Sequence, residues 1–284
     1  MRKSRLLAAF LVLVAAACEN PLTVTNTNAA DRARALARPT DVLSLISGGF
    51  NGIHSAHYGS ASAVWPQALV MGQENYSALA NFGMNVRGPI PRPAIVNASG
   101  SAGTGEFERD WNLLSRAARQ AATGLQAFRP GGLTLGDAGQ DTRARMFAHF
   151  VMGVAMGDLA LMYDQSTVIS DLDDAEFIPP LVAYQTVMTA AMARLDSAIA
   201  NAATATFPLP TTWINGNGFS RAQFIAVARG YKARFRAGVA RTPAERAAVD
   251  WASVTADANA FLAGMTADFT VTIGVTGWGN GWYA

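Results

Sequence analysis

Large apolar side chains in residues 106–128 fall on one line. Phe107, Trp111, Leu114, Ala118, Ala121, Leu125 and Phe128 recur at intervals of four and three. That spacing stacks side chains on one face of an α-helix. A helix with a single oily stripe is marginal alone in water and must bury the stripe against another element. The chain supplies such partners. Met146, Phe147, Phe150, Val151, Val154, Leu161 and Met162 predict a helix over about 141–163. Pro179-Pro180 opens a third, striped by Tyr184, Val187, Met188, Ala191, Leu195 and Ile199. Ser220 caps a fourth, with Phe224, Val227, Tyr231 and Phe235 inward. Thr242-Pro243-Ala244-Glu245 reads as a capping box with proline at the first helical position. Asp250 then caps a last helix, with Val254, Ala258, Phe261 and Leu262 on its stripe. Upstream, Thr40 caps a helix over 41–56, and a short helical piece surrounds Trp65 to Glu74.

These elements define a mainly all-α fold of consecutive helical hairpins. Trp111 and Tyr184 are 73 residues apart, and Phe147 and Phe224 are 77 apart. Each interval is near twice the roughly 34-residue period of tetratricopeptide repeats. Such pairs bury their stripes only by stacking. Half of the residues are apolar, enough for a packed core and against disorder. Residues 75–104 break the pattern with three prolines and interspersed glycines and asparagines, a long irregular loop of the kind that often carries function. Residues 265–284 turn to β-branched residues, then glycines and aromatics, a short β/loop C-terminal end.

The amino end carries an address. Arg2, Lys3 and Arg5 precede twelve apolar residues, Leu6 to Ala17, which end at Cys18. A spanning helix needs about 20; this run suits a secretory signal. The junction Ala15-Ala16-Ala17-Cys18 resembles a bacterial lipobox, with Ala15 where leucine is usual. Cys18 is the only cysteine in the chain. A plain secreted protein with an incidental thiol would also fit the run, but disulfide-using exported chains favour even numbers. Lipidation at Cys18 accounts for the lone thiol, and each buried acyl methylene contributes about 0.8 kcal/mol to anchoring. Residues 1–17 are then a signal, 18–38 a lipidated tether, and 39–264 the helical domain.

Charge and motifs exclude several functions. The precursor carries net charge +2, and removing three basic residues leaves 19 against 20 acidic ones, a net of −1 with no basic field for nucleic acid. There is no Walker loop and no G-x-S-x-G. Asp171, Asp173 and Asp174 fail the calcium-loop pattern, with no glycine at the turn, and read as a solvated loop. His54 and His57, three apart on a helix, lack further metal ligands. No catalytic residues, metal or cofactor are expected. Among binding candidates, Trp278, Trp282 and Tyr283 lie with Asn280 among glycines, where flat rings either stack on sugar faces or pack onto the helices. Trp213, in "LPTTWINGNGF", is open to the same two readings; Trp65, Trp111 and Trp251 lie on helical stripes and read as core.

In order and spacing, the lipobox cysteine with "ENPLTVTNTN", then "WNLLSRAARQAATGLQAF", "ARMFAHFVMGVAMGDLALMYD", "AYQTVMTAAMARLDSAI", "FSRAQFIAVARGYKARFRAGV" and "DWASVTADANAFLAG" resemble the SusD/RagB family of outer-membrane nutrient-binding lipoproteins. The likeness runs from Cys18 to about Gly264. It implies a surface-exposed, lipid-anchored protein that captures a glycan or similar nutrient over a SusC-type TonB-dependent transporter. It also implies that loops carry the ligand site, where Glu74, Asn75, Tyr76 and Asn81 offer donors and acceptors. Family members are longer, and this chain ends where their loop-rich C-terminal part begins. The alternative expectation is a lipid-anchored helical scaffold that binds proteins in the periplasm.

Overall fold

A computed structural model describes residues 36–59, 63–76, 87–91, 104–129, 132–174 and 177–273, apart from the side chains of 64 and 104–107. Along them run α1 (Pro39–Ser47), α2 (Gly49–Tyr58), α3 (Val64–Met71), α4 (Thr104–Gln126), α5 (Ala138–Met162), β1 (Gln165–Thr167), β2 (Leu181–Ala183), α6 (Tyr184–Ala202), α7 (Arg221–Gly238), α8 (Pro243–Ala247) and α9 (Trp251–Gly264). The fold is all-α in class. β1 and β2 form one antiparallel pair, with Ser166 opposite Val182.

The helix starts follow local chemistry. The first N–H groups of a helix have no partner inside it, and a side-chain oxygen at the cap can accept from one. Asp137 accepts from the Gln140 N–H, Asp250 from that of Ser253, and Ser220 and Gln223 exchange bonds in a full capping box. Thr242 and Glu245 do the same at α8.

Cross-contacts fix the helix directions. Trp111 early in α4 meets Tyr163 just past α5, ring centroids 4.9 Å apart. Arg145 early in α5 donates to the carbonyl of Phe128, just past α4. These two helices are therefore antiparallel. Thr206 after α6 donates its N–H to Gly139, and Tyr184 at the start of α6 donates to Asp164 past α5, so α5 and α6 are antiparallel too. Next-but-one neighbours run parallel: α7 lies along α5, with Phe224 on Phe150 and Arg234 on Asp158. That is the geometry of stacked hairpins. α2 also runs along α5, with Phe50 on Phe150 and His57 on Asp158.

The centre is α5. From Met146 to Ala160 nearly every side chain is buried, because α2, α4, α6 and α7 surround it. A helix apolar on all sides belongs in such a place. By length and composition α5 would also cross a membrane, but 78% of its apolar window is buried inside the fold. Two glycines permit the close approach. A Cβ on Gly153 would lie 2.8 Å from Leu195 of α6, and one on Gly157 would lie 2.2 Å from the Phe235 ring of α7.

Three sequence expectations are corrected. The helix expected over 41–56 with Thr40 as its cap is two. α1 already starts at Pro39 after Arg38, which makes no side-chain cap bond, so Thr40 lies inside it. Gly48 ends α1 before the chain restarts at Gly49; paired glycines make continuation costly. Pro179-Pro180 leads into strand β2, and α6 starts only at Tyr184; residues before proline are pushed to extended backbone. On α9, Trp251 and Leu262 are 51% and 68% exposed. α9 docks mainly on α7, so one narrow face suffices. Its buried contact is polar: Asp257 lies between Arg229, at 2.8 Å, and Arg236, at 3.3 Å.

At the α5–α6 seam, Arg194 reaches Nδ1 of His149 at 3.3 Å and pairs with Asp171 at 2.7 Å. Burial, then the Arg194 cation, hold His149 down to about 4 from an ordinary 6.5. The unfolded chain binds this proton more readily, so stability falls as the pH drops from about 6.5 towards 4. At 1.36 kcal/mol per pH unit the loss is up to about 3 kcal/mol. Denaturant melts across that window should show it, and His149→Gln should flatten the slope; an unchanged slope would refute the assignment.

Candidate functional site

Phe50, Ile53, His54 and His57 share one buried face of helix α2, with Tyr58 beside them at its end. Between α2, α3, α7 and α9 lies a cavity of about 530 Å³, within the size range of small-molecule sites. Its far wall is the segment after α9. There Phe269, Val271 and Ile273 face in while Thr270 and Thr272 are exposed, the alternation of an extended chain. Asn215 and Asn217 hold that segment by donating side-chain N–H groups to Thr272 and Thr270 carbonyls, both at 2.7 Å.

One corner of the cavity is polar and aromatic. Tyr58 and Trp65 lie nearly parallel, 8° apart with centroids 6.3 Å apart, and His57 stands edge-on to Trp65. The Arg234 guanidinium sits 5.4 Å over the Trp65 ring, a cation–π placement. Asp158 of α5 lies behind this corner, 1% exposed. Arg234 Nη1 donates to its Oδ1 at 2.9 Å. His57 Nε2 lies 3.0 Å from Oδ2. Burial alone would push the Asp158 carboxyl up; His57 and Arg234 beside it more than reverse this and hold it below its ordinary value. Burial pushes the Tyr58 and Tyr231 phenols up, so both stay protonated at neutral pH. The Trp65 indole N–H is buried and has no acceptor among the described residues.

This corner differs from the site expected from sequence. Glu74, Asn75 and Tyr76 are exposed past the end of α3, Tyr76 at 89%. They do not line the cavity; the other end of the same helix does, through Trp65. Of the two readings open for Trp213, the structure has it packed in the core: it is 3% exposed, its ring 4.9 Å from Phe147 with Arg143 over its face. Cys18, Asn81, Trp278, Asn280, Trp282 and Tyr283 lie outside the described residues. Asp171, Asp173 and Asp174 do lie on a loop, with Asp173 accepting from the Ser170 N–H. Among the described residues no three His, Cys, Asp or Glu side chains converge as metal ligands. Sequence reading missed Tyr58, Asp158 and Arg234. The available signal was His54, His57 and Tyr58 together on one helical turn, but their partners lie on other helices.

Compared with protein-family models, with curated proteins and with solved structures, the chain matches none of them.

Proposed function

We propose that this chain is a lipid-anchored binding protein of the outer membrane that captures a nutrient and delivers it to a TonB-dependent transporter, without bond chemistry of its own. The cavity between α2, α3, α7 and α9 carries the reading: apolar walls give affinity, and a fixed polar corner gives orientation. Stacked helical hairpins supply a rigid frame for it, and the apolar run ending at Cys18 supplies the tether. Both features also carry the likeness to SusD/RagB lipoproteins.

The test is capture of the tagged full chain from its native outer membrane under mild detergent. A TonB-dependent barrel should co-purify in near-equal amount, and mass spectrometry should find Cys18 acylated. An acylated protein that brings down no barrel would refute the proposal.

One observation favours the second reading, a periplasmic interaction scaffold. Leu172, Phe177 and Ile178 between β1 and β2, and Leu181 at the start of β2, are all exposed, Ile178 at 87%, and clustered exposed apolar groups mark protein contacts. Protease shaving of intact cells separates the two readings, since only a surface protein is cut.

A further inference from the structure

We infer that the cavity takes a small amphipathic carboxylic acid, with an apolar body and one anionic head, rather than a polyhydroxylated ligand. This rests on reading the chain as a binding protein; it does not depend on the transporter. The argument is one of donors and acceptors. Phe50, Ile53, Val227, Phe261, Val271 and Ile273 form the body of the cavity and offer no side-chain hydrogen bonds. A sugar seated there would leave hydroxyls unpaired, at a cost of about 1–3 kcal/mol for each buried group. An alkyl or aryl body costs nothing of the kind and gains from leaving water.

The polar corner is rich in donors, and among the described residues no acid lines it. Arg234 is a permanent cation in the lining, and the protonated Tyr58 hydroxyl can donate beside it. Asp158, which pairs with Arg234, is set behind the lining and takes only the Nη1 edge of the guanidinium. Arg234, on a side chain 36% exposed, lines the cavity together with Tyr58. A planar fork of N–H donors matches a carboxylate. Stacking on Trp65 and pairing with Asp158 fix the fork in advance, which lowers the entropy lost on binding. A second hollow, of about 610 Å³ beside α6 and α8, mixes Asp196, Glu245 and Arg236 with methionines; it has no such separation of apolar body and cationic corner.

Isothermal titration of the purified full chain with decanoate, methyl decanoate and maltohexaose tests the inference. Decanoate should bind saturably at one site. The methyl ester, which keeps the body and loses the charge, should bind at least about tenfold more weakly. Ala258→Leu fills the cavity wall without touching a hydrogen bond. It should keep the thermal midpoint and lose decanoate binding by at least about tenfold. Equal binding of acid and ester would overturn the assigned head group. Binding of maltohexaose that Ala258→Leu abolishes would overturn the ligand class while leaving the receptor reading in place. Binding of no probe at millimolar concentration would overturn the inference, and barrel capture would still report separately on the proposed function.

Discussion

Phe150→Ala should cost about 3–5 kcal/mol of stability, the range for removing a fully buried aromatic side chain. Phe150 is 0% exposed and joins three helices. Its ring stacks on Phe50 of α2 at 5.9 Å, meets Phe224 of α7 at 5.2 Å, and takes Tyr231 edge-on at 5.6 Å. Truncation removes the burial of the ring, leaves a cavity, and breaks aromatic contacts each worth about 0.5–1.5 kcal/mol. The surroundings are poorly placed to collapse, because Gly153 and Gly157 already hold α5 tight against α6 and α7. Phe150→Leu keeps most of the volume and should cost much less. Equilibrium urea unfolding measures both. A loss below about 1 kcal/mol for alanine would mean that α2 and α7 do not close on α5 as described.

Asp158→Ala should cost a comparable about 3–5 kcal/mol, the range for breaking a buried charge cluster by removing one partner. Among the described residues, this carboxylate is the acid that pairs with both His57 and Arg234. Without it, Arg234 stays half-buried against Trp65 and Phe235 with no counter-charge. Asp158→Asn should cost less, since its amide oxygen can still accept from Arg234. The pH dependence has a definite sign. A carboxylate held below its ordinary value contributes stability above the unfolded-state value, and that contribution is lost as pH falls through the lower, folded-state one. The gap between wild type and Asp158→Asn should therefore be full at neutral pH and narrow in strong acid. Denaturant curves at several pH values read this directly, and a gap that widened in acid would contradict the arrangement. Asp158→Ala should also weaken any ligand at the cavity, because Asp158 fixes the Arg234 fork.

The helices were legible because their cause is local. A stripe at intervals of three and four needs only the residues that carry it, so α4, α5, α7 and α9 appear close to their expected spans. Caps are local too, and Ser220, Thr242 and Asp250 sit where the sequence puts them. Failures occur where a neighbour decides. The stripe that includes Leu262 exists, but α9 is an edge helix and leaves that residue exposed. Trp213 sits in a segment of turn-forming residues, yet Phe147 and Arg143 enclose its ring. No periodicity marks a loop tryptophan as core.

By itself the sequence determined the helical elements, their starts and the demand that their apolar faces stack. Periodicity and capping act over three or four residues, a range that any reader of the chain can see. Only the tertiary structure decided that α2 and α7 lie along α5. That choice sets Asp158 between His57 and an arginine 76 positions further along the chain, and it opens a cavity with one cationic corner. Such pairings come from the shapes of whole helix faces fitting together, and glycines at 153 and 157 let them close; no stretch of sequence records that fit alone.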